Sequence, residues 1–347
     1  MTSTILSNSG LLSKFRGSMI GVLIGDCLGG PFEGDTRISK RILGNYFSNL
    51  LSGGSIQIFP YTDDTCMTLS TASSLIENKK VDAKDLAKKY VSEYISQPKR
   101  GYGYNVVTVF NALKESDFED VFLPARMQFN GSGSYGNGAA MRIAPVALSG
   151  HNKTDESFKN SVEECSRVTH THPSGINGAI LQSYAIKAAL KCDASKEFDP
   201  LDFISLLEKK METIEMKGKE SPYCESLKKI KDIYLLKQDD ISAEEIAEYL
   251  GNDVSAHKSV PSAIYSFLRG MKPISEFEIS NPFVRTIYFA ISIGGDTDTI
   301  ASMAGGIAGA YYGIESIPDE LQKRCELIEE VSKLADQLYN VFGDVTS

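Results

Sequence analysis

Two short acidic segments stand out in this 347-residue chain. Tyr61-Thr62-Asp63-Asp64-Thr65 precedes an apolar, helix-like run from Cys66 to Ile76. Gly294-Gly295-Asp296-Thr297-Asp298-Thr299 precedes a second, from Ile300 to Tyr312. Asp and Thr are good helix N-caps, so either segment alone would read as a cap. A cap needs one side chain, however, and here four aspartates crowd two helix starts. If folding brings them together, they repel one another and take up protons unless a cation sits among them. Hard oxygen donors of this kind select Mg²⁺, Mn²⁺ or Ca²⁺ over zinc. An EF-hand is excluded, because its ligands lie along one contiguous loop.

A third segment, Gly131-Ser132-Gly133-Ser134-Tyr135-Gly136-Asn137-Gly138, leads into a helical pattern from Ala139 to Leu148. Its glycines leave backbone N–H groups bare, and a helix start behind them favours an anion. A diphosphate suits such a loop. The string contains G-x-G-x-x-G, but a dinucleotide fingerprint follows a strand. Val121 to Asn130, with Pro124 and Arg126, does not read as one, and no G-K-[ST] ending is present. Glu33, within Gly30-Pro31-Phe32-Glu33-Gly34, stands among turn formers and so is expected on a mobile loop. His170 and His172 lack the complementary Cys and His that a zinc site needs. His170 reads as a core histidine or as an aromatic wall for a planar ligand.

Helices must position these segments. Asp82 to Ile95 starts on a capping Asp and gathers Leu86, Tyr90, Val91 and Tyr94 on one face. Ser242 with Glu245 makes a capping-box pattern. Glu320 to Val341 repeats apolar residues at helical spacing, and Lys191 to Asp240 reads as surface helices. Alternating β-type runs are few, so the chain is expected to be all-α. Gly17, Gly21, Gly25 and Gly29 recur every fourth residue, as do Ala301, Gly305, Gly309 and Gly313. Each series strips one helix face of bulk, at about 1 kcal/mol per glycine relative to Ala. Close backbone approach would compensate, so the two striped helices are expected at the centre of the bundle, touching each other.

The charge of −9, with 36 basic and 45 acidic side chains, argues against gripping a DNA backbone. No segment offers the roughly 20 apolar residues of a membrane span. Six scattered cysteines without a C-x-x-C pair read as free thiols in a reducing compartment. Residues 1–14 are expected to form a flexible tail, and 15–345 one compact domain. Met1 to Arg16 faintly resembles a mitochondrial transit peptide, although Lys14 and Arg16 are its only positive side chains.

Taken together, the motifs resemble the ADP-ribosylglycohydrolase family from about Gly17 to Gly313. The resemblance rests on Gly25-Asp26-Cys27-Leu28-Gly29, on Thr62 to Thr65, on Ser134 to Gly138 and on Gly294 to Thr299. Within the family, Pro31 to Gly34, Gly133 to Gly138 and Ser302 to Gly313 resemble the branch that removes ADP-ribose from serine and degrades poly(ADP-ribose). The resemblance implies a single-domain orthogonal helix bundle around a central dinuclear site holding two Mg²⁺ ions. Its ligands would be Thr62, Asp63, Asp64, Asp296, Asp298, Thr299 and Glu33, with Glu33 and Asp63 catalytic. Ser132, Gly133, Ser134, Tyr135, Gly136, Asn137 and Gly138 would hold the diphosphate. Tyr135, Phe129, His170 and Val254 would surround the adenosine.

The reaction so implied is Mg²⁺-dependent hydrolysis of the O-glycosidic bond at the anomeric carbon of ADP-ribose. It would pass through an oxocarbenium-like state and an activated water. The implied substrates are serine-modified proteins, poly(ADP-ribose) and O-acetyl-ADP-ribose. The same resemblance implies an intracellular monomer of nucleus and cytoplasm, with the mitochondrial matrix also open, and no DNA or membrane contact. Two alternatives stand beside it: an arginine-specific ADP-ribosylhydrolase and a non-catalytic ADP-ribose-binding protein.

Overall fold

The computed structural model describes residues 8–53, 57–215, 221–236 and 241–343. Among them are eighteen α-helices, two 3-10 turns and no strand, so the fold is all-α as expected. At its centre the helices Asn8–Gly29 and Thr297–Tyr312 run face to face, joined along the two glycine stripes. A Cβ built on Gly21 would stand 2.1 Å from the Gly305 carbonyl oxygen, and one on Gly25 equally close to that of Ala301. At the end of the stripe, Gly29 lies against the backbone of Thr297 and Asp298. The stripe therefore delivers the second acidic segment to the end of the first helix.

Helices Pro173–Lys191, Ala256–Gly270 and Pro282–Ser292 pack chiefly on Thr297–Tyr312, and Ile328–Phe342 packs on the first helix. The buried apolar side chains form one continuous core. Local signals start many of the elements. Asp82 accepts from the Asp85 amide, and Ser242 and Glu245 form the expected capping box. Pro173, Pro222 and Pro282 each open a helix at its first position, where no N–H is needed.

Three expectations change. The tail boundary at 14 falls inside the first helix, which starts at Asn8 and buries Leu11 and Lys14. Residues 1–7 lie outside the described residues. The pattern from Ala139 to Leu148 is two short helices, Gly138–Met141 and Ala144–Ser149. Pro145 explains the break, since its ring clashes with the carbonyl four residues back, that of Met141. The pattern from Glu320 to Val341 also divides, into Asp319–Gln322 and Ile328–Phe342. Between them the Phe59 amide donates to the Arg324 carbonyl at 2.7 Å, and the Glu326 amide to that of Phe59 at 3.2 Å. That long-range pairing leaves no periodic trace in sequence.

Candidate active site

Thr62 caps the helix Asp63–Asn78, its hydroxyl accepting from the Asp64 amide at 3.3 Å. Beneath this corner lies Asp26, fully buried on the first helix. Its carboxylate accepts from the Thr62 amide, the Thr65 amide and the Thr65 hydroxyl. Those bonds tie the corner to the glycine-striped helix. Sequence reasoning quoted the Gly25–Gly29 motif but gave Asp26 no part, because its partners are invisible without the fold.

The second corner, more than two hundred residues away, meets the first directly. The Thr299 hydroxyl donates to Asp64 Oδ2 at 3.1 Å. Asp296 Oδ2 accepts from the Asn137 amide nitrogen at 2.5 Å, which ties this corner to the Gly-rich loop. Glu33 joins from a loop locked backbone to backbone: the Gly34 amide donates to Gly295 O and the Gly295 amide to Asp35 O, both at 2.8 Å. Gly294 and Gly295 both take φ of +74, in the left-handed region. A Cβ on Gly295 would meet the Asn252 carbonyl oxygen at 2.1 Å. One carboxylate oxygen from each of Glu33, Asp296 and Asp298 can lie within 4.8 Å of the other two.

These groups line one cavity of about 360 Å³ together with Asp63, Asp64, Phe129, Ser134 to Gly138, His170 and Val254. Phe129 and Tyr135 face each other there, 5.7 Å between ring centroids. Phe129 and Asn130 hold φ of 49 and 55, a conformation bulky side chains rarely adopt. The break they make, with Gln128 extended, interrupts the Leu123–Gly131 helix and sets Gln128 and Phe129 in the cavity wall. The His170 ring lies under Gly136 and Gly138, and its Nδ1 shares a 2.7 Å hydrogen bond with the Thr169 hydroxyl. Burial, then the neighbouring Arg142, pushes its pKa down to about 3, so the ring is neutral.

Not every expected residue belongs to the lining. Thr62 stands behind Asp63, with its hydroxyl on the Asp64 amide. Ser132 is exposed beside the cavity, its hydroxyl donating to the Phe129 carbonyl at 2.8 Å. Gly133 packs on Thr171 and His172. Sequence reasoning missed Met67, Gln128, Arg142, Thr169, Gly101 and the segment from Gly103 to Val106, all of which contribute to the wall. Gly101 and Gly103 flanking Tyr102 beside a helix start were the one available sign of that segment.

The carboxylates fit divalent cations. Among the described residues none of Asp26, Glu33, Asp63, Asp64, Asp296 and Asp298 forms an ion pair, and buried Asp64 Oδ1 has no hydrogen-bond partner. Burial, then Asp26, raises Asp63 to about 8, and burial, then Asp296, raises Asp298 to about 9. Such groups hold protons more tightly in the folded chain than in the unfolded one. Their contribution is therefore complete below the ordinary aspartate pKa of about 4 and is lost as pH climbs toward 8 to 9. In a chelator the melting temperature is expected to fall between about pH 5 and pH 9, and millimolar Mg²⁺ or Mn²⁺ to restore it. A melting temperature that is flat over this range and indifferent to the cation would contradict this electrostatic picture.

Comparison with known proteins agrees. The family model described as ADP-ribosylglycohydrolase matches residues 7–346. The chain is 41% identical over 341 residues to ADP-ribosylhydrolase ARH3 of Xenopus tropicalis, covering 95% of this chain and 96% of that one. To the Homo sapiens protein of the same name it is 40% identical over 345 residues, covering 95% and 94%. A solved ADP-ribosylglycohydrolase-related protein complex aligns with TM-score 0.68 over 96% of this chain and 99% of that one, at 21% identity, which supports the fold. The chain belongs to the ADP-ribosylglycohydrolase family, a family of enzymes that hydrolyse glycosidic bonds.

Proposed function

We propose that this enzyme hydrolyses the O-glycosidic bond at the anomeric carbon of ADP-ribose, releasing it from serine-modified proteins, poly(ADP-ribose) and O-acetyl-ADP-ribose. The observation that carries the reading is the juxtaposition of the two acidic corners with the Gly-rich loop around one cavity. The relatives' name, ADP-ribosylhydrolase, supports the ligand class. The serine branch is supported by Pro31 to Gly34 and Gly133 to Gly138, which carry the branch resemblance.

Asp63, Asp64, Asp296, Asp298, Thr299 and Glu33 would hold two Mg²⁺ ions, with Thr62 contributing through the second lone pair of its hydroxyl. When bound, the ions neutralise the carboxylates, orient the distal ribose hydroxyls and make water more acidic. In the loop from Ser134 to Gly138 the Gly136 amide donates to Ser134 Oγ at 3.2 Å and the Asn137 amide to the Val254 carbonyl at 2.9 Å. The amides of Ser134, Tyr135 and Gly138 would therefore serve the diphosphate, with Ser132 and Gly133 shaping its approach. Phe129 and Tyr135 offer ring faces to the adenine, and neutral His170 and the Val254 loop close the adenosine end.

Glu33 handles the proton. It is the exposed member of the cluster, and burial of its inner part, Asp296 and Asp26 raise its pKa above the ordinary value. A raised carboxyl pKa suits a group that gives a proton to the leaving oxygen or takes one from water. Asp63 would receive and orient the attacking water. The same reading places the enzyme in nucleus and cytoplasm, with the mitochondrial matrix left open.

The direct test incubates the enzyme with serine-linked and arginine-linked ADP-ribosyl peptides, with Mg²⁺ and with a chelator. Free ADP-ribose is expected from the serine peptide alone, and only with the cation. Release from the arginine peptide would reassign the specificity, and tight binding of ADP-ribose without release from either peptide would leave a non-catalytic binder.

A further inference from the structure

The cavity poses an electrostatic problem. Glu33, Asp63, Asp64, Asp296 and Asp298 line it, and Arg142 is the sole Lys or Arg among its described lining residues. Two Mg²⁺ ions would bring four positive charges against these five carboxylates, so the cluster would offer a diphosphate no excess of positive charge. His170 stays neutral there. The helix Gly138–Met141 is a single turn, too short to supply an appreciable dipole.

Arg269 also has a buried, carbonyl-bonded guanidinium with an unpartnered Nε, but Arg142 combines these features with a place in the cavity wall. It is fully buried, yet among the described residues no carboxylate pairs with it. One terminal nitrogen donates to the Gly138 carbonyl at 2.7 Å and the other to the Cys165 carbonyl at 3.2 Å. Its Nε is buried without a partner. The guanidinium carbon lies 5.0 Å from the Tyr90 ring centroid. Two carbonyls and a ring face offset only part of the cost of burying a full charge. An anion in the cavity would complete the offset.

We propose that Arg142 is the built-in positive charge that selects and anchors the diphosphate of the ligand, acting from behind the Gly-rich loop whose last carbonyl it holds. This rests on the reading that the cavity takes ADP-ribose. It adds a charge requirement that loop amides alone do not impose. Arg142 is thus a positioning residue that holds the loop and acts on the ligand through its charge, and its loss should separate charged ligands from uncharged ones.

Calorimetry with ADP-ribose and with adenosine, on the Mg²⁺-loaded wild type, Arg142→Gln and Arg142→Lys, tests this. Circular dichroism checks folding. Arg142→Gln is expected to weaken ADP-ribose about tenfold or more, as loss of a full charge near a diphosphate in a poorly solvated site does, and to leave adenosine within about twofold. The salt dependence of ADP-ribose affinity should flatten in the same variant. Arg142→Lys keeps the charge but not the fork, and should retain most of the ADP-ribose affinity. Equal loss of both ligands in either variant, or no loss of ADP-ribose in Arg142→Gln, overturns the proposal in favour of a structural role. Should Arg142→Gln fail to fold, Arg142→Lys decides alone: folded with ADP-ribose affinity lost, it refutes the charge role. A wild type that binds no ADP-ribose removes the underlying reading as well, and that outcome is distinct from the others.

Discussion

Glu33→Gln is expected to lower turnover about 10²- to 10⁴-fold, the range lost with a general acid or base, while ADP-ribose affinity stays within about threefold. The side chain keeps its size and one oxygen in this change but can no longer titrate. Asp63, Asp64, Asp296 and Asp298 are all more enclosed and carry the burden of mutual repulsion. Glu33 instead stands on a backbone-locked loop at the rim, near enough to Asp296 and Asp26 for both to raise its pKa. Removing its proton should act on the rate and spare binding at the adenosine end. Release of ADP-ribose from a serine-linked peptide gives the rate, calorimetry gives the affinity, and metal content is measured on the same samples. Gln keeps one oxygen for the ligand role that Glu33 shares with Asp296 and Asp298, so if affinity and metal content drop in step with turnover, the loss belongs to that ligand role and the proton role is refuted.

The second large effect lies in the core. Gly25→Ala places a methyl 2.1 Å from the Ala301 carbonyl oxygen and 2.2 Å from its carbon. Both are backbone atoms, so no rotamer change relieves the clash and the two central helices must separate. Overpacking costs about 1–3 kcal/mol even where side chains can shift, so a loss at or above that range is expected, with activity falling because Asp26 follows in sequence. Gly44→Ala is the matched control. Gly44 lies inside the helix Lys40–Leu51 with nothing within 4 Å of its built Cβ. There the substitution should stabilise by about 0.5–1 kcal/mol through helix propensity alone. Denaturant unfolding of the two variants should therefore show opposite signs. Equal stability would mean that the glycine stripe is not the contact that organises the fold.

Those stripes were legible because spacing of four on a helix is a one-dimensional signal with one three-dimensional meaning. The acidic corners were legible for a related reason: four aspartates at two helix starts exceed what capping requires. What stayed hidden depends on contacts between distant segments. Asp26 looks like any aspartate until Thr62 and Thr65 are seen to donate to it. Arg142 sits in an apolar run that reads as core, and its partners Gly138 and Cys165 follow no sequence rule. Ser132 and Gly133 read as part of the loop because glycine spacing does not tell which residues of a turn face inward. The break before Ala144 was within reach, since Pro145 forbids a continuous helix, but the apolar pattern outweighed it.

Cation binding by the two corners tests the account most directly. Protein stripped with chelator is titrated with Mn²⁺, and free ion is followed by electron paramagnetic resonance, for the wild type, Asp63→Asn and Asp298→Asn. The wild type should bind two ions. Each variant, altered in a different corner, should lose affinity by more than the about 10- to 100-fold that follows loss of an outer hydrogen bond alone. Wild-type protein that leaves Mn²⁺ free at millimolar concentration, or variants that bind as the wild type does, would contradict a shared cation cage and the mechanism built on it.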